Sequence, residues 1–271
     1  MPANASGPGR KAAVLGQPIA HSKSPQLHLA AYRALGLLDW TYERIECSAD
    51  ELPFLVDAFG PEWVGLSVTM PGKFAALRCA TERTQRAELV GSANTLVRTA
   101  TGWRADNTDI DGVKGALGGA LTGTAVLFGA GGTAPAVLVA LVELGISHVT
   151  VAARDPARAD RLLDLAGTLG VSAEYCPLGD GSLTAHLARA AVVVSTIPAD
   201  AAADFATVVS AAPVLLDVIY HPWPTPLAAA VASAGGQVIS GLQMLLHQAF
   251  AQVEQFTGRP APRSEMTAAL N

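Results

Sequence analysis

The stretch Val126–Ala136, VLFGAGGTAPA, constrains this chain more than any other. Thr124–Phe128 is an apolar, β-rich run with the length of a buried parallel strand. It stops at Gly129, Gly131 and Gly132, and an apolar helical pattern follows to Leu144. Strand, glycine turn and helix in that order are the dinucleotide-binding signature. Gly129 permits the tight turn, and Gly131 lets the backbone approach a pyrophosphate where a Cβ would collide with it. Ala134 fills the third glycine slot, and Pro135 suits a helix start because its missing N–H costs nothing there. Free N–H groups and the positive end of the helix dipole would face the phosphates. The same letters also suit a ligand-free glycine turn in an α/β domain. Because the signature sits mid-chain, another unit must occupy the first half.

A length of 271 residues allows one large or two medium domains. Half the residues are hydrophobic and only 15% are charged, which supplies a core and argues against disorder. The net charge of −5 gives no basic patch, so nucleic acid is not an expected partner. Cys47, Cys79 and Cys176 are scattered, show no metal-ligand spacing and suit a reducing compartment. The opening MPANASGPGRK lacks the apolar stretch of a signal peptide, and Ala134–Leu144 is too short to span a bilayer. The expectation is a soluble, cytoplasmic protein with no metal and no membrane partner.

The pattern predicts an N-terminal α/β unit over 1–107, with residues 1–10 a disordered leader. Strands are expected at Lys11–Gly16, Trp40–Ile45, Val64–Val68, Gly91–Val97 and Gly102–Ala105. Helices are expected over Gln26–Leu35, with Ser22 or Ser24 as cap, over Ser48–Gly60, capped by Ser48 or Asp50, and from Phe74. From Thr108 to Ser240 strands alternate with helices, which implies a doubly wound parallel sheet over 108–240. Leu242–Phe256 closes the chain as a long amphipathic helix within 241–271. Two α/β units with the glycine signature in the second imply one for a cofactor and one for a small substrate.

Several polar residues could carry chemistry. Lys73 follows a strand and a Pro-Gly turn, and Asp106 and Asp109 lie in DNTDIDG. A lysine and an aspartate brought together could shuttle a proton and orient a hydroxyl, although either aspartate could equally cap a helix. Ser22 and Ser24 at a helix start could hold a carboxylate or simply cap the helix. Asn94 could bond a substrate hydroxyl or fix a turn. His21 beside Ser22 does not make a hydrolase, since adjacent residues rarely have that geometry and no nucleophile elbow surrounds them. Arg154 stands about twenty residues past Ala134, where an acidic residue reads the ribose of NAD and an arginine the 2′-phosphate of NADP. Arg154 and Arg158 favour NADP, and Asp155 opposes it mildly.

Seven motifs run in order along nearly the whole chain: PIAHSKSP (18–25), VTMPGK (68–73), GSANTL (91–96), NTDIDG (107–112), GAGGTA (129–134), IYHPWPTP (219–226) and GLQMLLHQA (241–249). Together, in that order and spacing, they resemble the shikimate dehydrogenase family. The resemblance implies a two-domain fold, an α/β substrate domain followed by a Rossmann-type doubly wound parallel sheet, whose last helix returns to the first domain. It implies reversible NADPH-dependent reduction of 3-dehydroshikimate to shikimate in aromatic amino-acid biosynthesis. Carried over by motif, Ser22 and Ser24 would bind the substrate carboxylate with Tyr220 nearby. Thr69, Lys73, Asn94, Asp109 and Gln248 would surround the ring hydroxyls, and Lys73 with Asp109 would be the catalytic pair. NADP(H) would rest on Gly129, Ala130, Gly131, Gly132, Thr133 and Ala134, with Arg154 and Arg158 at the 2′-phosphate and Thr196, Ile219 and Gly241 completing the surface. A monomer or homodimer is expected.

Three departures from the family pattern stand out. The family often has Asn-Arg-Thr at the 2′-phosphate, where this chain has Ala153, Arg154 and Asp155. Ser67 stands where Asn is common, and Gly72 replaces a bulkier residue before the lysine. An NAD-dependent quinate/shikimate dehydrogenase, with Asp155 reading the ribose, and a non-catalytic NADP(H)-binding sensor of the same fold are the competing expectations.

Overall fold

A computed structural model describes residues 9–270. The chain divides into two compact units, Met1–Thr108 with Gln248–Asn271, and Asp109–His247. Among the described residues, no helix is long and apolar enough to cross a membrane.

The first unit is built on β1 (Lys11–Gly16), β2 (Thr41–Glu46), β3 (Trp63–Val68), β4 (Glu82–Arg83), β5 (Thr95–Thr99) and β6 (Gly102–Asp106). These form one sheet in the order β2-β1-β3-β5-β6-β4. β1 pairs parallel with β2 and β3, whereas β5 pairs antiparallel with β3 and β6. β1 lies between β2 and β3 and is almost wholly buried, which explains its unbroken apolar run. Helices α1 (Ser24–Ala34), α2 (Leu52–Ala58), α3 (Lys73–Cys79) and α4 (Gln85–Val90) complete the N-terminal part. One apolar cluster joins Leu15, Leu66, Leu96 and Trp103, and another joins Val14, Tyr32, Tyr42 and Phe256.

The second unit begins with α5 (Asp109–Leu117) and continues through β7 (Thr124–Phe128), α6 (Ala134–Leu144), β8 (His148–Ala153), α7 (Pro156–Thr168), β9 (Ser172–Pro177) and α8 (Leu183–Arg189). Then come β10 (Ala190–Ser195), the short α9 (Ala199–Ala202) and α10 (Ala206–Val209), β11 (Val214–Asp217), α11 (Pro226–Ser233) and β12 (Gln237–Ser240). The sheet is parallel throughout, in the order β12-β11-β10-β7-β8-β9. From β7 the chain winds outward to β9, then returns to β10 beside β7 and winds the other way. The strand order therefore reverses between β7 and β10, the place where open α/β sheets bind ligands. Helix α12 (Gly241–Thr257) leaves this unit at His247 and enters the first, where α13 (Arg263–Ala268) follows it.

The doubly wound sheet is present as the sequence implies. Several boundaries differ from expectation. The expected strand at Gly91–Val97 is β5, which starts at Thr95; Gly91 instead ends α4 at φ 72°, with its N–H on Ala87 O. Neither Ser22 nor Ser24 caps α1, whose N-cap residue lacks a side-chain bond. Ser48, unlike Asp50, caps the turn that leads into α2: its Oγ accepts from Glu51 N–H at 3.3 Å, the Glu51 carboxylate accepts from Ser48 N–H at 2.9 Å, and Ser48 O accepts from Leu52 N–H at 3.2 Å. β4, β9 and the helices α4, α8, α9, α10 and α13 had no counterpart among the expected elements, being short and mostly poor in pattern. Of the leader expected over 1–10, residues 1–8 lie outside the described residues. Arg10 is fixed, donating to Pro61 O at 3.0 Å.

Candidate active site

In the first unit, the expected substrate residues gather at the ends of the central strands. Ser22 and Ser24 are buried at the entry to α1, and Ser24 N–H donates to Ser22 Oγ at 3.3 Å. Arg44, projecting from β2, holds that loop by donating from Nε and Nη2 to Ser22 O at 2.9 and 2.6 Å. Thr69 N–H continues the β1–β3 ladder onto Leu15 O, and Thr69 O accepts from Gly72 N–H to close the turn before Lys73. Gly16 is required here, because a Cβ would meet Met70 O at 2.9 Å as well as the Thr69 methyl. Lys73 opens α3, half-buried, and its carbonyl accepts from Ala93 N–H at 3.0 Å. That bond ties the lysine backbone to the residue beside Asn94.

Asn94 is the hub. It is buried, and its Oδ1 accepts from Thr108 N–H at 2.7 Å and from Thr95 Oγ1 at 2.8 Å. Its Nδ2 donates to Thr108 Oγ1 at 3.0 Å and to Gln248 Oε1 at 3.1 Å. The structure therefore brings Asn94 and Gln248 together across 154 residues of sequence. Asp109 follows Thr108 directly, buried at the start of α5 in the second unit, where Tyr220 also belongs.

Asp106, the other aspartate of that motif, is committed elsewhere. Its oxygens accept from Thr84, Asn107 N–H, Gln255 and twice from Arg86, at 2.5 to 2.8 Å. Burial pushes the carboxyl up, but Arg86 and the neighbouring donors outweigh it and bring the pKa down to about 2. It is a structural ion rather than an acid–base group.

In the second unit, the cofactor candidates converge on the reversal point of the sheet. Gly129 ends β7 at φ 99°, and a Cβ there would meet Thr196 Oγ1 at 2.6 Å and Ile197 Cγ2 at 2.7 Å. Thr196 is pinned beside it by two bonds to Phe128 O, from N–H at 2.9 Å and from Oγ1 at 2.8 Å. Gly131 differs: its φ is not in the left-handed range and a Cβ would meet nothing within 4 Å. No protein atom demands that glycine, so the space above it suits a group from outside the chain. Ala130, Gly132 and Thr133 complete the turn, and Ala134 starts α6 with its N–H end toward it. The residues present thus fit a pyrophosphate.

Arg154 stands exposed at the end of β8. Asp155 is the N-cap of α7, accepting from Ala157 N–H at 3.0 Å, and pairs with Arg158 at 3.4 Å. On the far side of β10, Asp217 accepts from Ile219 N–H at 3.1 Å and from Thr225 Oγ1 at 2.6 Å. This staple holds the loop that carries Ile219 and Tyr220. Gly241 packs where a Cβ would run into the Val218 backbone. Among the described residues, no group of His, Cys, Asp and Glu could hold a metal ion.

Three family models match: "Shikimate dehydrogenase substrate binding domain" over 14–96, "Shikimate / quinate 5-dehydrogenase" over 114–211 and "Shikimate 5'-dehydrogenase C-terminal domain" over 241–270. The shikimate dehydrogenase (NADP(+)) of Methylobacterium radiotolerans is 37% identical, with 93% of each chain covered. The chain belongs to the shikimate dehydrogenase family. The crystal structure of Mycobacterium tuberculosis shikimate dehydrogenase is 70% identical and superposes with a TM-score of 0.94, covering 96% of this chain and 99% of that one. The Thermus thermophilus enzyme, solved with NADP(H) and shikimate, is 29% identical, with a TM-score of 0.80 and 96% and 98% covered.

As a shikimate dehydrogenase family member, the chain carries site neighbours that its sequence did not single out. Tyr42 and Arg44 are two apart on β2, and Gln252 lies one helical turn beyond Gln248. Gln252 Nε2 donates to Thr95 Oγ1 at 2.9 Å and to Asn94 O at 3.2 Å. His28, stacked on Tyr42 with centroids 4.1 Å apart, is kept neutral by burial, its pKa pushed down to about 3. Only the i,i+4 spacing of the two glutamines left a trace in the sequence.

Proposed function

We propose that this chain is a cytoplasmic shikimate dehydrogenase, catalysing reversible NADPH-dependent reduction of 3-dehydroshikimate to shikimate on the route to the aromatic amino acids. The buried Asn94–Thr108–Gln248 cluster, tied through Ala93 to Lys73, carries the reading. Amide and hydroxyl groups fixed beside one lysine suit a ring bearing several hydroxyls and one reacting carbonyl.

In this mechanism Ser22 and Ser24 hold the substrate carboxylate, with Tyr220 supporting it. Thr69, Asn94 and Gln248 bind the ring hydroxyls and set the carbonyl against Lys73. As the carbonyl carbon is reduced, Lys73 Nζ gives a proton to its oxygen, so the product leaves as a neutral alcohol. In the oxidative direction the same nitrogen takes that proton back. Asp109 is the second member of the catalytic pair and would accept from the reacting hydroxyl. When bound, the nicotinamide cofactor supplies the hydride. Gly129, Ala130, Gly131, Gly132, Thr133 and Ala134 would hold its pyrophosphate, Arg154 and Arg158 its 2′-phosphate, and Thr196, Ile219 and Gly241 its nicotinamide end. Because Asp155 already caps α7 and pairs with Arg158, its geometry supports NADP over NAD.

The partners in this proposal are small molecules, with the protein a monomer or homodimer that binds neither nucleic acid nor membrane. The acidic net charge and the three scattered cysteines support that view. The test is to supply 3-dehydroshikimate with NADPH, follow loss of NADPH absorbance and identify shikimate by chromatography, with NADH and quinate in parallel arms. Turnover confined to the NADPH–dehydroshikimate arm and its reverse is expected. NADPH binding without turnover would overturn the proposal.

A further inference from the structure

The groups behind Asn94 settle which end of its amide a substrate meets. Thr108 N–H is an obligate donor, and it lies 2.7 Å from Asn94 Oδ1. That atom is therefore the oxygen, and Nδ2 is the end turned toward Gln248, 3.1 Å from its Oε1. Gln252 is settled in the same way from α12. Its Nε2 lies 3.2 Å from Asn94 O, an obligate acceptor, while its Oε1 accepts from Ser67 Oγ at 2.7 Å. The second Nε2 hydrogen goes to Thr95 Oγ1 at 2.9 Å.

Thr95 links the two amides. Its hydroxyl has one proton, and with a Gln252 N–H already donating to the oxygen, that proton is turned away from Gln252. The nearest acceptor is Asn94 Oδ1 at 2.8 Å, whereas Thr108 Oγ1 is farther, at 3.2 Å. Gln252 N–H to Thr95 O–H to Asn94 Oδ1 is thus a one-way chain in which each hydrogen has one acceptor. Thr95, Thr108 and Gln252 are fully buried, so the chain is shielded from solvent. Two donors on Oδ1 fix the amide plane and draw charge toward the oxygen, which makes Nδ2 a stronger donor.

We propose that Thr95 and Gln252 are positioning residues that act through Asn94: together they hold its amide nitrogen toward the ring-hydroxyl site, so that the hydroxyl bound there accepts a hydrogen bond from it. This rests on the functional reading above, in which Asn94 binds a ring hydroxyl. The effect falls on ground-state binding of shikimate, not on the proton transfer at Lys73, and leaves NADP+ binding untouched.

The experiment is a double-mutant cycle of Thr95→Val and Asn94→Ala, with Thr95→Ser and Gln252→Met alongside, and with KM for shikimate, KM for NADP+ and kcat measured for each protein. Shikimate-dependent turnover by the wild-type protein is established first, so that its absence would count against the functional reading alone. Thr95→Val keeps the shape of the side chain and removes its proton. It should raise KM for shikimate about threefold to tenfold, the scale of one hydrogen bond, with kcat and KM for NADP+ within about twofold. Thr95→Ser, which restores the hydroxyl, should stay within about twofold of wild type. Gln252→Met, which releases the Thr95 proton without altering the Asn94 side chain, should raise the same KM, and it carries the test if Thr95→Val does not fold. In the Asn94→Ala background Thr95→Val should add less than about twofold. A KM for shikimate unchanged in Thr95→Val or in Gln252→Met, an equal loss in Thr95→Ser and Thr95→Val, or full additivity with Asn94→Ala would overturn the proposal. So would a fall in kcat with KM preserved.

Discussion

Gly129 and Gly131 stand two residues apart in one turn, yet replacing each by alanine should have opposite consequences. At Gly129 the backbone is at φ 99°, and the new Cβ would press on Thr196 Oγ1 at 2.6 Å and Ile197 Cγ2 at 2.7 Å. Left-handed strain costs roughly 1–2 kcal/mol and the crowding about as much again, so Gly129→Ala should lose about 2–4 kcal/mol of stability. At Gly131 the methyl meets no protein atom within 4 Å and the φ is not left-handed. Gly131→Ala should leave the ligand-free protein as stable as before, or more stable by about 0.4–1 kcal/mol through the stiffer unfolded chain. That methyl nevertheless occupies the space reserved for the pyrophosphate. Losing one or two charge-assisted bonds there, at about 1.5–3 kcal/mol each, should weaken NADP+ binding by about 10²-fold or more. Thermal melting of the ligand-free variants and calorimetric titration with NADP+ separate the two effects. A Gly131→Ala protein that melts several degrees lower, or that binds NADP+ within about twofold of wild type, would refute the reasoning.

Further outcomes follow from the same geometry. Lys73→Ala should cut turnover by about 10²–10⁴-fold while the shikimate Kd, read by equilibrium titration, changes far less. Arg154→Ala should raise KM for NADP+ by about 10-fold or more and leave KM for NAD+ nearly unchanged, as steady-state kinetics with both cofactors would report. Asp106, lowered from 3.8 to about 2 in the folded chain, contributes stability that is fully present above pH 4 and disappears as pH falls toward 2. The shift corresponds to roughly 2–3 kcal/mol, so denaturant midpoints should show Asp106→Asn destabilised at neutral pH and less acid-sensitive than wild type.

What the sequence reveals depends on whether a requirement is local. The glycine turn, the Pro-flanked helix starts and the alternating strands of the second unit are set by backbone constraints a few residues long. They were legible for that reason. Asp106 and Asp109 lie three residues apart in one motif, and nothing in that motif apportions their roles. Arg86, twenty residues upstream, claims Asp106 and so separates them. Tyr42, Ser67 and Gln252 were not legible as site neighbours, because their meaning exists only once β2, β3 and α12 pack together. Asp155 was read as a possible ribose ligand, but an Asp before Pro at a helix start is also a cap, and the cap is what forms. The short helices between β10 and β11 escaped notice because their alanine-rich run has no sharp apolar period.

The most direct test of the account is the ratio of kcat/KM for NADP+ and NAD+ with shikimate as the oxidised substrate. Shikimate-dependent NADP+ reduction is expected, with a ratio well above one that collapses in Arg154→Ala. Protein that binds NADP+ tightly but shows no shikimate-dependent turnover, or that prefers NAD+, would contradict it.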